Sequence, residues 1–102
     1  MLYLIYFEIS AEAGNRLDFE EGGPEEILGY VMNRFAPKAS YAEAGTRNIF
    51  VVAELNEAQM SEFMLIVSKK FGTYPEFTPI TPLSAIPEIA GKAIEAVKKA
   101  PI

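Results

Sequence analysis

The chain has 102 residues, 50% of them apolar and 23% charged, with a net charge of −5 and neither cysteine nor histidine. That balance fits one folded domain, read here as spanning residues 1–102. It excludes a disulfide framework, a thiol nucleophile and any histidine-dependent triad or haem ligand. Net negative charge with no basic stripe argues against nucleic-acid and anionic-membrane partners. No metal or cofactor is expected.

Met1 to Ile9 reads as the first strand: it is rich in Leu, Ile, Tyr and Phe and contains no Gly or Pro. Its apolar residues occupy both parities from Met1 to Phe7, so neither face is designed for water. The stretch is too short to span a bilayer and lacks the basic start of a secretory signal, which predicts a cytoplasmic protein.

Ser10 to Gly23 is acidic, holds three glycines and shows no clear period. It reads as a long loop, with Gly14, Gly22 and Gly23 as possible hinges of a lid. Arg16 is its one basic residue and could grip a carboxylate ligand. The plainer alternative tucks Leu17 and Phe19 into the core and leaves the acids in water.

Residues 24–35, PEEILGYVMNRF, read as a helix. Pro24 suits its first position, Glu25 and Glu26 favour the positive end of the dipole, and Ile27, Val31 and Phe35 form the apolar stripe. Pro37 ends it. ASYAEAG gives a weaker strand, Gly45 marks a turn, and Asn48 to Leu55 is a second strand apolar on both parities, which predicts an antiparallel hairpin.

Asn56 and Gln59 open the next helix as a capping box. Met60, Phe63, Met64, Val67 and Phe71 run along one side as core packing, and Gly72 stands where a left-handed cap is needed. TYPEFTPITPL carries prolines at 75, 79 and 82, which suits an edge strand. A final helix, about 84–100, is an appendage whose stripe of Ile86, Ile89, Ala90, Ala93, Ile94 and Val97 predicts docking on something.

The order β-α-β-β-α-β plus one helix predicts an α+β, ferredoxin-like sandwich: a four-stranded antiparallel sheet with two helices on one face and the first and third strands central. Tyr3, Ile5, Phe7 and Ile9, with Ile49, Val51, Ala53 and Leu55, face the helices. Leu2, Leu4, Tyr6, Phe50 and Val52 are left on the open face, an apolar surface of a size that monomers rarely expose. The last helix could fold over it, but one helix covers only part of four strands. A homodimer, sheet against sheet, is the preferred cover.

In element order, doubly apolar central strands and a proline-rich last strand, residues 1–83 resemble the dimeric α+β barrel superfamily. The resemblance implies a barrel built by two copies. It also implies a pocket between sheet and helices of the kind used by small monooxygenases and isomerases in that group, often through His, Asp or Arg. Lacking His, this chain looks most like the short uncharacterised members.

Tyr6, Glu8, Tyr41, Phe50 and Glu54, with Arg16, are the candidate ligand-contacting residues, and Glu43 could line the same open face. A carboxylate beside tyrosines could act as a general base. Glu8 and Glu54 fall at opposite ends of neighbouring strands, so they form no acid/base pair within one copy. The alternative is that they are solvated strand ends or form interfacial ion pairs with Arg47 or Arg16. The leading expectation is a small homodimeric domain with a binding or structural role. Alternatives are a cofactor-independent monooxygenase or isomerase acting on a small apolar or aromatic substrate, or a regulatory domain with a ligand site between subunits.

Overall fold

A computed structural model describes all residues from Met1 to Ile102. The strands are β1 (Leu2–Glu8), β2 (Ala39–Ala42), β3 (Asn48–Glu54) and β4 (Glu76–Pro79); the helices are α1 (Ala11–Glu20), α2 (Glu25–Phe35), α3 (Glu57–Phe71) and α4 (Ile86–Lys99). The sheet is antiparallel in the order β2-β3-β1-β4, so the two most apolar strands are central and the proline-bearing strand is an edge.

One face of the sheet carries the whole core. Ile5, Phe7, Val51, Ala53, Phe63, Val67 and Phe71 are all fully buried, joined by Ile9, Leu55, Val31 and Phe35. Phe63 is the hub: its ring lies 5.8 Å from Phe7, 5.1 Å from Phe35 and 6.0 Å from Phe77, in edge-on or tilted contacts that add to the area buried by aromatic pairs. Phe7 also stacks on Phe71 at 5.7 Å.

α3 is held as its sequence predicts. Asn56 accepts from the Gln59 N–H, Gln59 accepts from the Asn56 N–H, and Gly72 closes the helix at φ 75°. Arg34 makes two bonds to Glu62, 2.9 and 3.0 Å, tying α2 to α3. Pro24 sits one position earlier than expected, as the N-cap of α2, and its carbonyl accepts from Leu28.

The expected loop over Ser10 to Gly23 is instead α1, so three helices cover the core face rather than two. Ser10 caps it, its hydroxyl accepting from the Ala13 N–H at 3.1 Å. Only Gly22 and Gly23, at φ 81° and 98°, form a turn, between α1 and α2. Leu17 is buried as the plainer reading had it, but Phe19 is 83% exposed. The period was hidden because α1 meets the core through Ala13, Gly14 and Leu17, of which only Leu17 is a large apolar residue, too little to make a stripe.

α4 docks on nothing within the chain. None of its residues is buried, and its one substantial neighbour is the 3-10 turn at Leu83–Ala85 that leads into it. The molecule therefore measures 62 × 27 × 26 Å with a radius of gyration of 17.9 Å, where a compact chain of this length has about 13 Å.

Candidate functional site

Strand register turns the open face into a grid. Side chains alternate along each strand, so Leu2, Leu4, Tyr6 and Glu8 of β1 share the face away from the core with their partners Glu54, Val52, Phe50 and Asn48 of β3. β2 adds Ala39 beside Val52 and Tyr41 beside Phe50; β4 adds Thr78 beside Leu4 and Glu76 beside Tyr6. One row thus crosses the whole sheet as Tyr41, Phe50, Tyr6 and Glu76. The Tyr6 and Phe50 rings are 5.2 Å apart and tilted. Leu2, Leu4, Tyr6, Phe50 and Val52 are half-buried by their strand neighbours alone, with nothing above them.

The two ends of this face differ. At one end Glu8, Glu43 and Glu76 surround the Tyr6 phenol, and Glu43 also accepts from the Asn48 side chain at 3.4 Å. Partial removal from water raises the Tyr6 pKa, and the repulsion its phenolate would feel from those three carboxylates raises it further. At the other end the Met1 ammonium lies 2.7 Å from Glu54. That hydrogen bond, together with the charges of Met1 and Lys38, holds the Glu54 carboxyl below its ordinary range.

Of the residues singled out from sequence, Tyr6, Tyr41 and Phe50 are brought into one row, with Glu8 at its margin. Glu54 lies at the far end, level with Leu2. Arg16 belongs to α1 in the helix layer and bonds Glu21 at 2.8 Å, and Arg47 bonds Asp18 and Asn15 at 2.8 and 3.1 Å. Within the chain, these arginines thus pair with the acids of α1 and of the turn after it, and Glu8 and Glu54 are exposed strand ends. Sequence reasoning named Glu43 as a residue of the open face but missed Glu76, which pairing with β4 sets beside Tyr6.

Between sheet and helices the space is small. A pocket of about 170 Å³ is lined by Ile9, Leu17, Leu28 and Ile49 with Asp18 and Arg47 at its rim, short of the roughly 300–1,000 Å³ of ordinary small-molecule sites. No polar or charged residue is buried anywhere in the core, so the sheet–helix layer holds no carboxylate poised by desolvation. A wider, open groove of about 490 Å³ runs between the helices, floored by Leu17, Ile27, Tyr30 and Ile66. No helix is long and apolar enough to cross a membrane. Comparison with known proteins returns no matching family model, no matching curated protein and no matching solved structure.

Proposed function

We propose that this chain is a homodimeric, ferredoxin-like domain whose open sheet face is its self-association surface. One observation carries the reading: five large apolar residues on the two central strands form a continuous field with no cover in the chain, and such fields mark interfaces. The strand order supports the ferredoxin-like description. The sheet-to-sheet barrel implied by the resemblance is one way for two copies to meet there. A ligand role at the same interface is favoured by the row Tyr41–Phe50–Tyr6, an aromatic floor for a small aromatic compound held between subunits. An enzymatic role in the sheet–helix layer is less well supported, because that layer lacks both volume and a buried titratable group.

The test is sedimentation of the native chain beside Val52→Glu and Tyr6→Glu. The native protein should run as a dimer at micromolar concentration. Both variants should run as monomers with unchanged helical circular dichroism, since the new carboxylate falls outside the core. A monomeric native chain, or dimeric variants, overturns the reading. Mass spectrometry of gently purified protein would reveal a ligand retained at the interface.

A further inference from the structure

The open sheet face is one of two uncovered apolar surfaces on this chain; the other is the stripe of α4. We infer that in the assembled protein α4 of each copy is exchanged, lying along the central strands of the second copy's open face. This rests on the self-association proposed above and names the element that performs it.

Dimensions agree. A 14-residue helix is about 21 Å long, and a seven-residue strand such as β1 spans about 23 Å. One helix is about 10 Å wide with its side chains, enough for two strands spaced about 4.8 Å apart. The apolar residues of the face are concentrated on those two, β1 and β3. The edge strands bring mainly small or polar residues, Ala39, Thr78 and Glu76, with Tyr41 the exception.

Charge gives the direction. Lys98 stands at the margin of the stripe in the last turn of α4, and the acidic end of the face offers Glu8, Glu43 and Glu76. Running α4 alongside β1 brings Lys98 to those carboxylates. Its first turn then lies at the end where Glu54 is already neutralised by the Met1 ammonium.

The strap decides between the chain's own sheet and a second copy. The Ile80 N–H is still bonded to the Leu2 carbonyl, and the helical rod starts at Leu83. Only Thr81 and Pro82 lie between. A residue before proline is confined to extended backbone, and Pro82 itself is extended at φ −54°, ψ 135°. Two such residues do not reverse a helix onto the sheet it has just left. A hinge this short directs the element outward, the condition under which identical elements are exchanged between copies.

Because the chain has no cysteine, introduced thiols report contacts cleanly. Val52→Cys and Ala93→Cys chains would be prepared separately, mixed, and oxidised. Exchange predicts a covalent heterodimer of the two variants. If Val52→Cys instead links only to itself, the sheets face each other; the homodimer stands and the exchange is overturned. A Val52→Cys, Ala93→Cys double variant that closes within one monomeric chain shows α4 on its own sheet and overturns both ideas, as does a monomer with no link at all. Ile94→Glu in the full-length chain is the second measure. Exchange predicts self-association weakened about tenfold or more by burial of an unpaired carboxylate, whereas unchanged association overturns it.

Discussion

The two faces of one sheet are built from the same strands and nearly the same residue types, yet they have opposite fates. On the helix side, Ile5, Phe7, Val51 and Ala53 reach zero exposure. On the other, Leu4, Tyr6, Phe50 and Val52 are covered only by their neighbours along the sheet. Apolar content therefore does not define the core of this chain. What defines it is that three helices are tied by short connections to one side, while the fourth is aimed away by a proline strap. Folding of one copy is a matter for the first face, and the association we propose would fall to the second.

The sharpest way to break that comparison is to remove one aromatic ring from each face. Phe63→Ala deletes the hub of the core and should cost about 3–5 kcal/mol, enough to consume much of a small domain's stability of about 5–15 kcal/mol. Phe50→Ala should cost a dissociated copy much less, because its ring is half in water, and should show instead as weaker association. Denaturant titration at low and high protein concentration separates the two: relative to the native chain, the loss in Phe63→Ala should be the same at both concentrations, and that in Phe50→Ala should grow with concentration. A Phe50→Ala loss equal at both concentrations would erase the distinction between the faces.

A smaller effect distinguishes the helix that covers the core from the one that leaves it. α3 starts in a complete capping box, whereas the residue before α4, Ala85, offers no side-chain cap. Asn56→Ala should cost about 1 kcal/mol, read as a lower thermal midpoint. Ala85→Ser should leave the midpoint of a dissociated copy nearly unchanged, because α4 contributes no buried residue to it.

Smallest is the contribution of Glu54 at the rim of the open face. Its folded pKa lies below the ordinary value, so the stabilisation it lends is fully present above about pH 4.3. It is lost as pH falls through the depressed folded value. Glu54→Gln should flatten the acid limb of a stability–pH curve slightly between about pH 5 and pH 3. Because the pair is solvent-exposed, salt should shrink the difference further.

Much of the architecture was legible because local and long-range signals agree. Prolines marked the edge, the Asn56–Gln59 pair and Gly72 bounded α3, and the parity of β1 and β3 separated Ile5 and Phe7 from Leu4 and Tyr6. α1 was illegible for a physical reason: a helix that approaches the sheet through alanine and glycine carries no stripe, and only the Ser10 cap announces it. The candidate site was legible by residue and not by arrangement. That Tyr41, Phe50, Tyr6 and Glu76 stand in one row depends on pairing register, which a single strand's pattern does not specify. The exit direction of α4 was hidden too: its stripe predicts docking, yet within the chain it packs on nothing beyond the turn that leads into it.

The tight seat of α1 ties two positions far apart in the chain to one another. A methyl group built on Gly14 would fall 2.5 Å from Arg47 Nε, the side chain whose guanidinium bonds Asn15 and Asp18 at the surface. Alanine at 14, which a helix would otherwise welcome, thus requires the flexible Arg47 side chain to shift and to loosen an exposed pair worth little. A change at either site is therefore felt at the other, through a side chain with room to give way.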